Sequence, residues 1–223
     1  MEKVYHESTL QESGFNKIPE LFDRDDFETM IESIDRCKSY PKDPYWKLWM
    51  RARDKCILAL LFYTGGRPKE ICSLRYDDFK PKLMAFHIRG INNKQKKDRV
   101  VPILAQALPY LKEFLSMGRS SEYIFPSFEC RGRPLSAARW KSIMREKILK
   151  PSGLWIAPIG TTVPRTRSYS LRASFGTKLM KESGDPSLVA QVLGHSDWRS
   201  LKKYIFLNQM TNESMERVRR AVV

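Results

Sequence analysis

The longest regular pattern in the chain is an apolar segment from Tyr45 to about Tyr63, closed by glycine and proline. Its apolar residues recur at helical spacing and fit a core helix: Trp46, Trp49, Met50, Ile57, Leu60 and Leu61. Gly65-Gly66 is a typical helix end, and Pro68 suits the first turn of a following helix. The chain therefore has to pack around a buried helix that turns sharply just before Pro68.

Arg67 lies in this tight corner between two helices, and Glu70 follows three residues later. Glu70 can pair with Arg67 or with the free N–H groups of the second helix. A rigid, partly buried Arg with nearby donors is suited to phosphate recognition. A plain corner with an exposed Arg explains the same residues about equally well.

Helical patterns account for most of the remaining chain. Asp23-Arg-Asp-Asp26 is a variant capping box that begins a helix reaching about Cys37. Further helices are predicted at Ala105–Met117, Ser136–Leu149, Ser168–Ser183, from Asp185-Pro186 to Leu193, and at Met210–Val222. Two strand-like stretches, Leu83–Arg89 and Arg99–Ile103, flank a polar turn and predict a β-hairpin.

The charge distribution indicates an anionic partner. The 223-residue chain has a formal net charge of +15 at pH 7. Residues 1–36 carry a net charge of −6, and residues 37–223 carry +21. A polyanion suits the basic body of the protein, whereas the acidic start would not bind one.

Cysteine usage and hydropathy predict an intracellular protein. The four Cys show no C-x-x-C pairing, and Cys56 and Cys72 lie among apolar residues, so buried thiols are expected. The acidic start is no signal peptide, and the longest apolar run, Ile57–Tyr63, is too short to span a membrane.

The turn of the hairpin is strongly basic. Lys94, Lys96 and Lys97 lie at or near its tip. They could be a solvated loop, but on so basic a chain a hairpin that inserts Lys toward nucleic acid is favoured, and a tip Lys can also donate a proton. Other candidate DNA contacts lie in a basic loop, a basic helix and a Pro-rich loop: Arg131, Arg133, Arg139, Lys141, Arg165 and Arg167.

Ser168 is expected to cap the next helix, with Leu171, Phe175 and Leu179 as its buried face. Tyr169 and Arg172, three residues apart, share a different face. A packing Tyr and a surface Arg are the alternatives to a functional pair.

The stretch from Val192 to Tyr204 places His195 directly after Gly194, ahead of a helix start at Ser196 or Asp197. On one straight helix His195 and Tyr204 would stand about 13 Å apart. They can serve one small group only if the chain bends between them. A satisfied loop His and a core-edge Tyr are the alternative.

Four motifs thus stand in series: Thr64-Gly-Gly-Arg-Pro-Lys-Glu-Ile71; Lys94 with Lys97-Asp-Arg-Val-Val-Pro102; Tyr169-Ser-Leu-Arg-Ala-Ser-Phe-Gly-Thr177; and Leu193-Gly-His195 with Tyr204. In this order and spacing they resemble the tyrosine recombinase (integrase) family over about residues 18–208. The resemblance implies an α+β, mainly α, catalytic fold with a small antiparallel sheet. It further implies one catalytic domain at 21–223, with no separate core-binding domain apparent. Residues 1–20 are polar and weakly patterned and are predicted to form a flexible tail.

The resemblance also implies the roles of the site residues. Arg67 and Arg172 match the two catalytic Arg, Lys94 the hairpin Lys, His195 the His of the Leu-Gly-His motif, Tyr204 the nucleophile and Glu70 the acid that supports the first Arg. Tyr169 and Ala173 depart from the family, which has His at both positions. A phenol, with a reference pKa of about 10, can donate a hydrogen bond to phosphate but cannot replace His as a base near neutral pH. How Tyr204 loses its proton is therefore left open.

The implied chemistry is DNA strand exchange without a metal or another cofactor. Tyr204 forms a 3′-phosphotyrosyl link, Arg67, Arg172 and His195 stabilise the charged transition state, and Lys94 protonates the 5′-hydroxyl leaving group. The expected partners are double-stranded DNA with specific recombination sites and further copies of the chain, as a tetramer on DNA. Neither a small-molecule substrate nor a membrane is expected. Two alternatives remain: DNA relaxation as by a type IB topoisomerase, and a catalytically weakened DNA-binding module.

Overall fold

The structure is a computed structural model that describes residues 21–92, 96–118, 121–128, 130, 132–156 and 166–194. Seven α-helices are described: α1 Arg24–Arg36, α2 Pro44–Thr64, α3 Pro68–Cys72, α4 Leu108–Ser116, α5 Ala137–Ile143, α6 Ser168–Ser183 and α7 Pro186–Leu193. Three strands, β1 Phe79–Lys80, β2 Ala85–Ile88 and β3 Arg99–Pro102, form one antiparallel sheet in the order β1-β2-β3. The predicted class, mainly α with a small antiparallel sheet, is confirmed.

Helix α2 forms the centre of the core, as the sequence predicts. Asp43 caps it by accepting a 2.9 Å hydrogen bond from the Trp46 N–H, and Pro44 occupies its first turn. Residues 56–61 are buried on every side because α2 packs against α1, α4 and α6. Trp46 is the exception to the predicted core face, since 39% of it is exposed.

The hairpin is confirmed but shorter than predicted. Phe86 pairs with Val101 and Ile88 pairs with Arg99 across β2 and β3. Leu83 is not in the strand, because Met84 takes a left-handed conformation with φ of 45° that interrupts the extended chain. No sequence pattern predicted β1, which has only two residues. Residues 93–95, including Lys94, lie outside the described part of the hairpin.

Helix α6 lies between two apolar regions. Arg167, rather than Ser168, is its capping residue, and the Arg167 backbone N–H donates to Ser170 Oγ at 3.2 Å. Leu171 is fully buried in the main core, whereas Phe175 and Leu179 are partly exposed and pack on a second, smaller cluster with α7. This second cluster contains Ala173, Met180, Val189 and Leu193. Helix α6 therefore connects α7 to the core helix.

The predicted helix at 136–149 is α5 followed by a π-helical segment, Met144–Leu149. Its basic residues do not form one free surface. The Lys147 ammonium lies 3.9 Å from the centroid of the Tyr40 ring, and both Arg145 and Lys150 form ion pairs with Glu146.

The thiols are free, with Cys37, Cys56 and Cys72 buried and Cys130 exposed. Within the ranges that the structure covers, every helix is too short or too polar to cross a membrane.

Candidate active site

The corner between α2 and α3 is fixed by close packing. Gly65 has φ of 63°, which favours glycine. A Cβ atom there would lie 2.5 Å from Phe175 Cδ1 and 2.7 Å from Leu193 Cδ2. The end of α2 therefore packs directly against α6 and α7. This packing fixes the backbone just before Arg67.

Glu70 binds Arg67 in the way that the sequence allowed. The Arg67 backbone N–H donates to Glu70 Oε2 at 2.8 Å, and Arg67 Nη1 donates to Oε1 at 2.8 Å. The Glu70 side chain is fully buried, whereas 27% of the Arg67 side chain is exposed. The buried carboxylate thus fixes the position of Arg67 and leaves part of the Arg67 side chain accessible to solvent.

Arg99 is a part of this site that the sequence reasoning missed. Its Nη1 and Nη2 each donate a 2.8 Å hydrogen bond to Glu70, one to each carboxylate oxygen. Burial alone raises the pKa of Glu70, but the hydrogen bonds and charges of Arg99 and then of Arg67 lower it to about 2. The available signal was the Arg in the Arg-Val-Val-Pro motif that begins β3, but the sequence does not show which side chain it faces.

Arg172 is buried, so the surface alternative for this residue is wrong. Only 2% of it is exposed. Its Nη1 donates to the Gly65 carbonyl at 2.7 Å, and its Nη2 donates to the Leu193 carbonyl at 2.6 Å. One guanidinium therefore joins the end of α2, the first turns of α6 and the end of α7.

A cleft of about 380 Å³ opens above Arg67 and Arg172. Five of the residues that line it are cationic: Arg67, Lys69, Lys141, Arg167 and Arg172. The others are Pro68, Ala137, Ser168 and Tyr169. None of these described lining residues is acidic. Tyr169 is 37% exposed, and the Arg167 guanidinium carbon lies 5.6 Å from the centroid of its ring. Such a cleft is suited to an anionic group that accepts several hydrogen bonds.

The structure brings together part of the predicted site. Arg67, Tyr169 and Arg172 line the cleft with Lys141 and Arg167, and Glu70 lies behind Arg67. Lys96, Lys97, Arg133 and Arg139 are exposed and do not line it. Five predicted residues lie outside the described ranges: Lys94, Arg131, Arg165, His195 and Tyr204.

The described chain ends at Gly194, one residue before His195. Gly194 has φ of 63° and ends α7, and its carbonyl accepts a hydrogen bond of 3.4 Å from Arg67 Nη2. The residue that precedes the predicted His therefore touches the predicted first catalytic Arg.

Comparison with known proteins agrees with this geometry. The model of the phage integrase family matches residues 29–210. Among curated proteins, tyrosine recombinase XerD of Vibrio cholerae is 28% identical over 210 residues, which are 88% of this chain and 63% of that protein. Tyrosine recombinase XerA of Thermococcus kodakarensis is 28% identical over 172 residues, 77% of this chain and 55% of that protein. The chain thus spans a little over half of the length of these relatives.

Solved structures share the fold. The crystal structure of XerA recombinase matches with a TM-score of 0.64 and 22% identity, covering 90% of this chain and 64% of that one. XerH site-specific recombinase, bound to palindromic difH substrate after cleavage, matches with a TM-score of 0.68 and 23% identity, covering 93% and 54%. With the matched motifs and the family model extending over most of its length, the chain belongs to the phage integrase family of tyrosine recombinases.

Proposed function

We propose that this chain carries the catalytic unit, residues 21–223, of a site-specific DNA recombinase that cleaves and rejoins double-stranded DNA. The observation that carries the proposal is the convergence of Arg67 and Arg172, distant in sequence, on one cationic cleft beside Gly194. An integrase-like enzyme needs this arrangement because a phosphodiester develops negative charge on its non-bridging oxygens during cleavage.

In the proposed reaction the Tyr204 hydroxyl loses its proton to water, and its oxygen attacks a DNA phosphorus. The bond between phosphorus and the 5′ oxygen breaks, and Lys94 protonates that oxygen, leaving a 3′-phosphotyrosyl link and a free 5′-hydroxyl. Arg67, Arg172 and His195 stabilise the charged phosphate. Attack by the 5′-hydroxyl of another strand reverses the steps and joins that strand, so no other energy source is needed.

The charge and the relatives support the proposed partners. A net charge of +21 on residues 37–223 favours DNA, and XerH has been solved bound to a DNA site. We extend the proposal to specific recombination sites, to assembly of four copies on the DNA and to action inside the cell.

A covalent capture experiment tests the function without a known target site. The full chain is incubated with a pool of nicked suicide duplexes whose core is randomised, and adducts that survive SDS are sequenced. Native protein is expected to form adducts enriched in one sequence, and Tyr204→Phe is expected to form none. The absence of any adduct with native protein, despite DNA binding, would contradict the enzyme and favour the DNA-binding module.

Ala173 is the specific observation behind that second candidate. It lies fully buried in the small apolar cluster between α6 and α7, where the family has a second His. A type IB topoisomerase would instead give adducts without sequence enrichment and would relax supercoiled plasmids as a monomer.

A further inference from the structure

The Glu70 carboxylate accepts four hydrogen bonds from two arginines, Arg67 and Arg99. Oε1 accepts from Arg67 Nη1 and from Arg99 Nη1, and Oε2 accepts from the Arg67 backbone N–H and from Arg99 Nη2. All four distances are 2.8 Å. A carboxylate has about four acceptor sites, and Arg67 and Arg99 each occupy two of them. The position of Arg67 is therefore tied to that of Arg99 through Glu70.

Arg99 also touches the segment that leads to His195. Its Nε donates to the Val192 carbonyl at 3.4 Å, and a Cβ at Gly194 would come within 2.9 Å of its Cδ. Arg99 is not among the described residues that line the cleft. Both of its Nη groups donate to Glu70, so Arg99 supports Arg67 from the side of the carboxylate.

We propose that Arg99 is a positioning residue, which ties the hairpin strand β3 to Glu70 and to the end of α7 and thereby holds Arg67 in place and gives the Arg67–Glu70–Arg99 cluster a net positive charge for the phosphate. The inference rests on the proposed function, because it gives Arg99 a role in DNA cleavage.

The charge balance explains why a second Arg is needed. Glu70 and Arg67 alone would form a neutral pair, and the carboxylate would offset the attraction of Arg67 for an anion. Arg99 gives the three side chains a net charge of +1, and burial of the carboxylate reduces screening by water. Removal of Arg99 should therefore weaken the electrostatic attraction between the cluster and a phosphate even though Arg67 is still present.

The position of Arg99 also links separate motifs. It is the first residue of β3 and pairs with Ile88 of β2, so its backbone belongs to the hairpin whose turn contains Lys94. Its side chain meets Glu70 of α3 and the carbonyl of Val192 in α7. One residue thus fixes three parts of the chain from which the proposed reaction draws its groups.

The first test measures single-turnover adduct formation on a captured site with Arg99→Gln, Arg99→Lys and the matched control Arg36→Gln, which removes one exposed charge in α1. We expect Arg99→Gln to slow adduct formation at least tenfold, Arg99→Lys to recover part of that loss, and DNA affinity to match the control within about twofold. A rate for Arg99→Gln equal to that of Arg36→Gln would overturn the inference. If Arg99→Gln does not fold, Arg99→Lys decides, with at least threefold slowing expected and the native rate contradicting it.

A second test uses inorganic phosphate and needs no DNA chemistry, so it separates this inference from the proposed function. Phosphate is titrated while the side-chain N–H signal of Arg67 is followed by NMR. Arg99→Gln should weaken the response severalfold relative to Arg36→Gln. An unchanged response, or an Arg67 signal that ignores phosphate in the native protein, would contradict the role of Arg99. Failure of native protein to form adducts, with the phosphate result as expected, would instead remove only the recombinase proposal.

Discussion

The Arg53–Asp54 pair and the Arg67–Glu70–Arg99 cluster both pair Arg with a buried carboxylate, and they differ in charge and in exposure. In the first, Arg53 donates through Nε and Nη2 to Asp54 Oδ1 at 2.9 and 2.8 Å, and the Tyr40 hydroxyl donates to Oδ2 at 2.8 Å. Arg53 and Asp54 are 3% and 0% exposed, and the Arg53 guanidinium carbon lies 5.5 Å from the Trp49 ring centroid. The Arg53–Asp54 pair is therefore closed and neutral, and Lys147 lies against the Tyr40 ring.

The second cluster, Arg67–Glu70–Arg99, carries one more positive charge than negative and opens on the cleft through Arg67. Burial and the charge of Asp54 raise the pKa of Tyr40 in the first cluster, while two Arg lower the pKa of Glu70 in the second. The contrast separates an ion pair that only stabilises the fold from one that also presents a cation. Both clusters pair Arg with a buried carboxylate. The second differs because it has a net positive charge and because Arg67 exposes that charge to the cleft.

The largest expected effect is the loss of stability in Asp54→Asn. This change leaves Arg53 buried without a charged partner, and breaking such a pair costs about 3–5 kcal/mol. Urea unfolding should show this loss, while adduct formation per folded molecule should stay near the native rate. The control is Glu32→Gln, which removes the exposed pair with Arg36 and should cost at most about 1 kcal/mol. Equal losses of stability in the two variants would contradict the stabilising role of the buried Arg53–Asp54 pair.

The reciprocal change is Arg67→Ala in the open cluster. Cleavage should slow by about 10²–10³-fold because one donor to the charged phosphate is lost. Binding should persist because many phosphate contacts contribute to it. Glu70 keeps Arg99, so the loss of stability should be smaller than in Asp54→Asn. Single-turnover rates and DNA affinity are compared with those of Arg36→Ala, which removes an exposed charge in α1, and parallel losses of binding and cleavage would count against a catalytic role.

Local sequence signals predicted the parts of these clusters that depend on neighbouring residues. Helix α2, its glycine end and the Arg67–Glu70 pair follow from periodicity and from a spacing of three residues. Arg99 could not be predicted in the same way, because its contact with Glu70 spans 29 residues and depends on how the hairpin packs on α3.

Burial was the other property that the sequence left open. Arg172 looked equally suited to a surface, and only the packing of α6 between α2 and α7 places its guanidinium on the carbonyls of Gly65 and Leu193. Trp46 was predicted on the core face but is 39% exposed. An apolar stripe along a helix does not show how far the neighbouring elements extend to cover it. Periodicity fixes a face of a helix, but the depth of each residue depends on the other elements.

The pH dependence of stability sharpens the comparison further. The pKa of Glu70 falls from 4.5 to about 2 on folding, so the unfolded chain binds the proton more readily. The stabilisation from the ionised Glu70 carboxylate is complete above about pH 5 and is lost as the pH falls toward 2. Between pH 5 and pH 3 the free energy of unfolding should therefore fall by about 2 kcal/mol. Urea unfolding of Glu70→Gln at both values should show a correspondingly smaller decline, and parallel declines would contradict the lowered pKa.

The smallest expected effect concerns Tyr169, which lies on the open side of the second cluster. Tyr169→His should keep or raise the rate of adduct formation, because an imidazole can donate to phosphate and can also accept a proton near neutral pH. The rate should then rise with pH through about 6.5, the ordinary range of His.

The closed cluster offers the matched control for this change. Tyr40→His removes the buried phenol that donates to Asp54 and should lower the midpoint of thermal unfolding, whereas Tyr169→His should leave it nearly unchanged because that side chain is 37% exposed. A collapse of cleavage in Tyr169→His, with the fold intact, would show that the phenol has a specific role in the cleft. Tyr169→Phe then separates the hydroxyl from the ring: loss of cleavage in both variants would assign that role to the hydroxyl, and loss in the His variant alone would assign it to the ring beside Arg167.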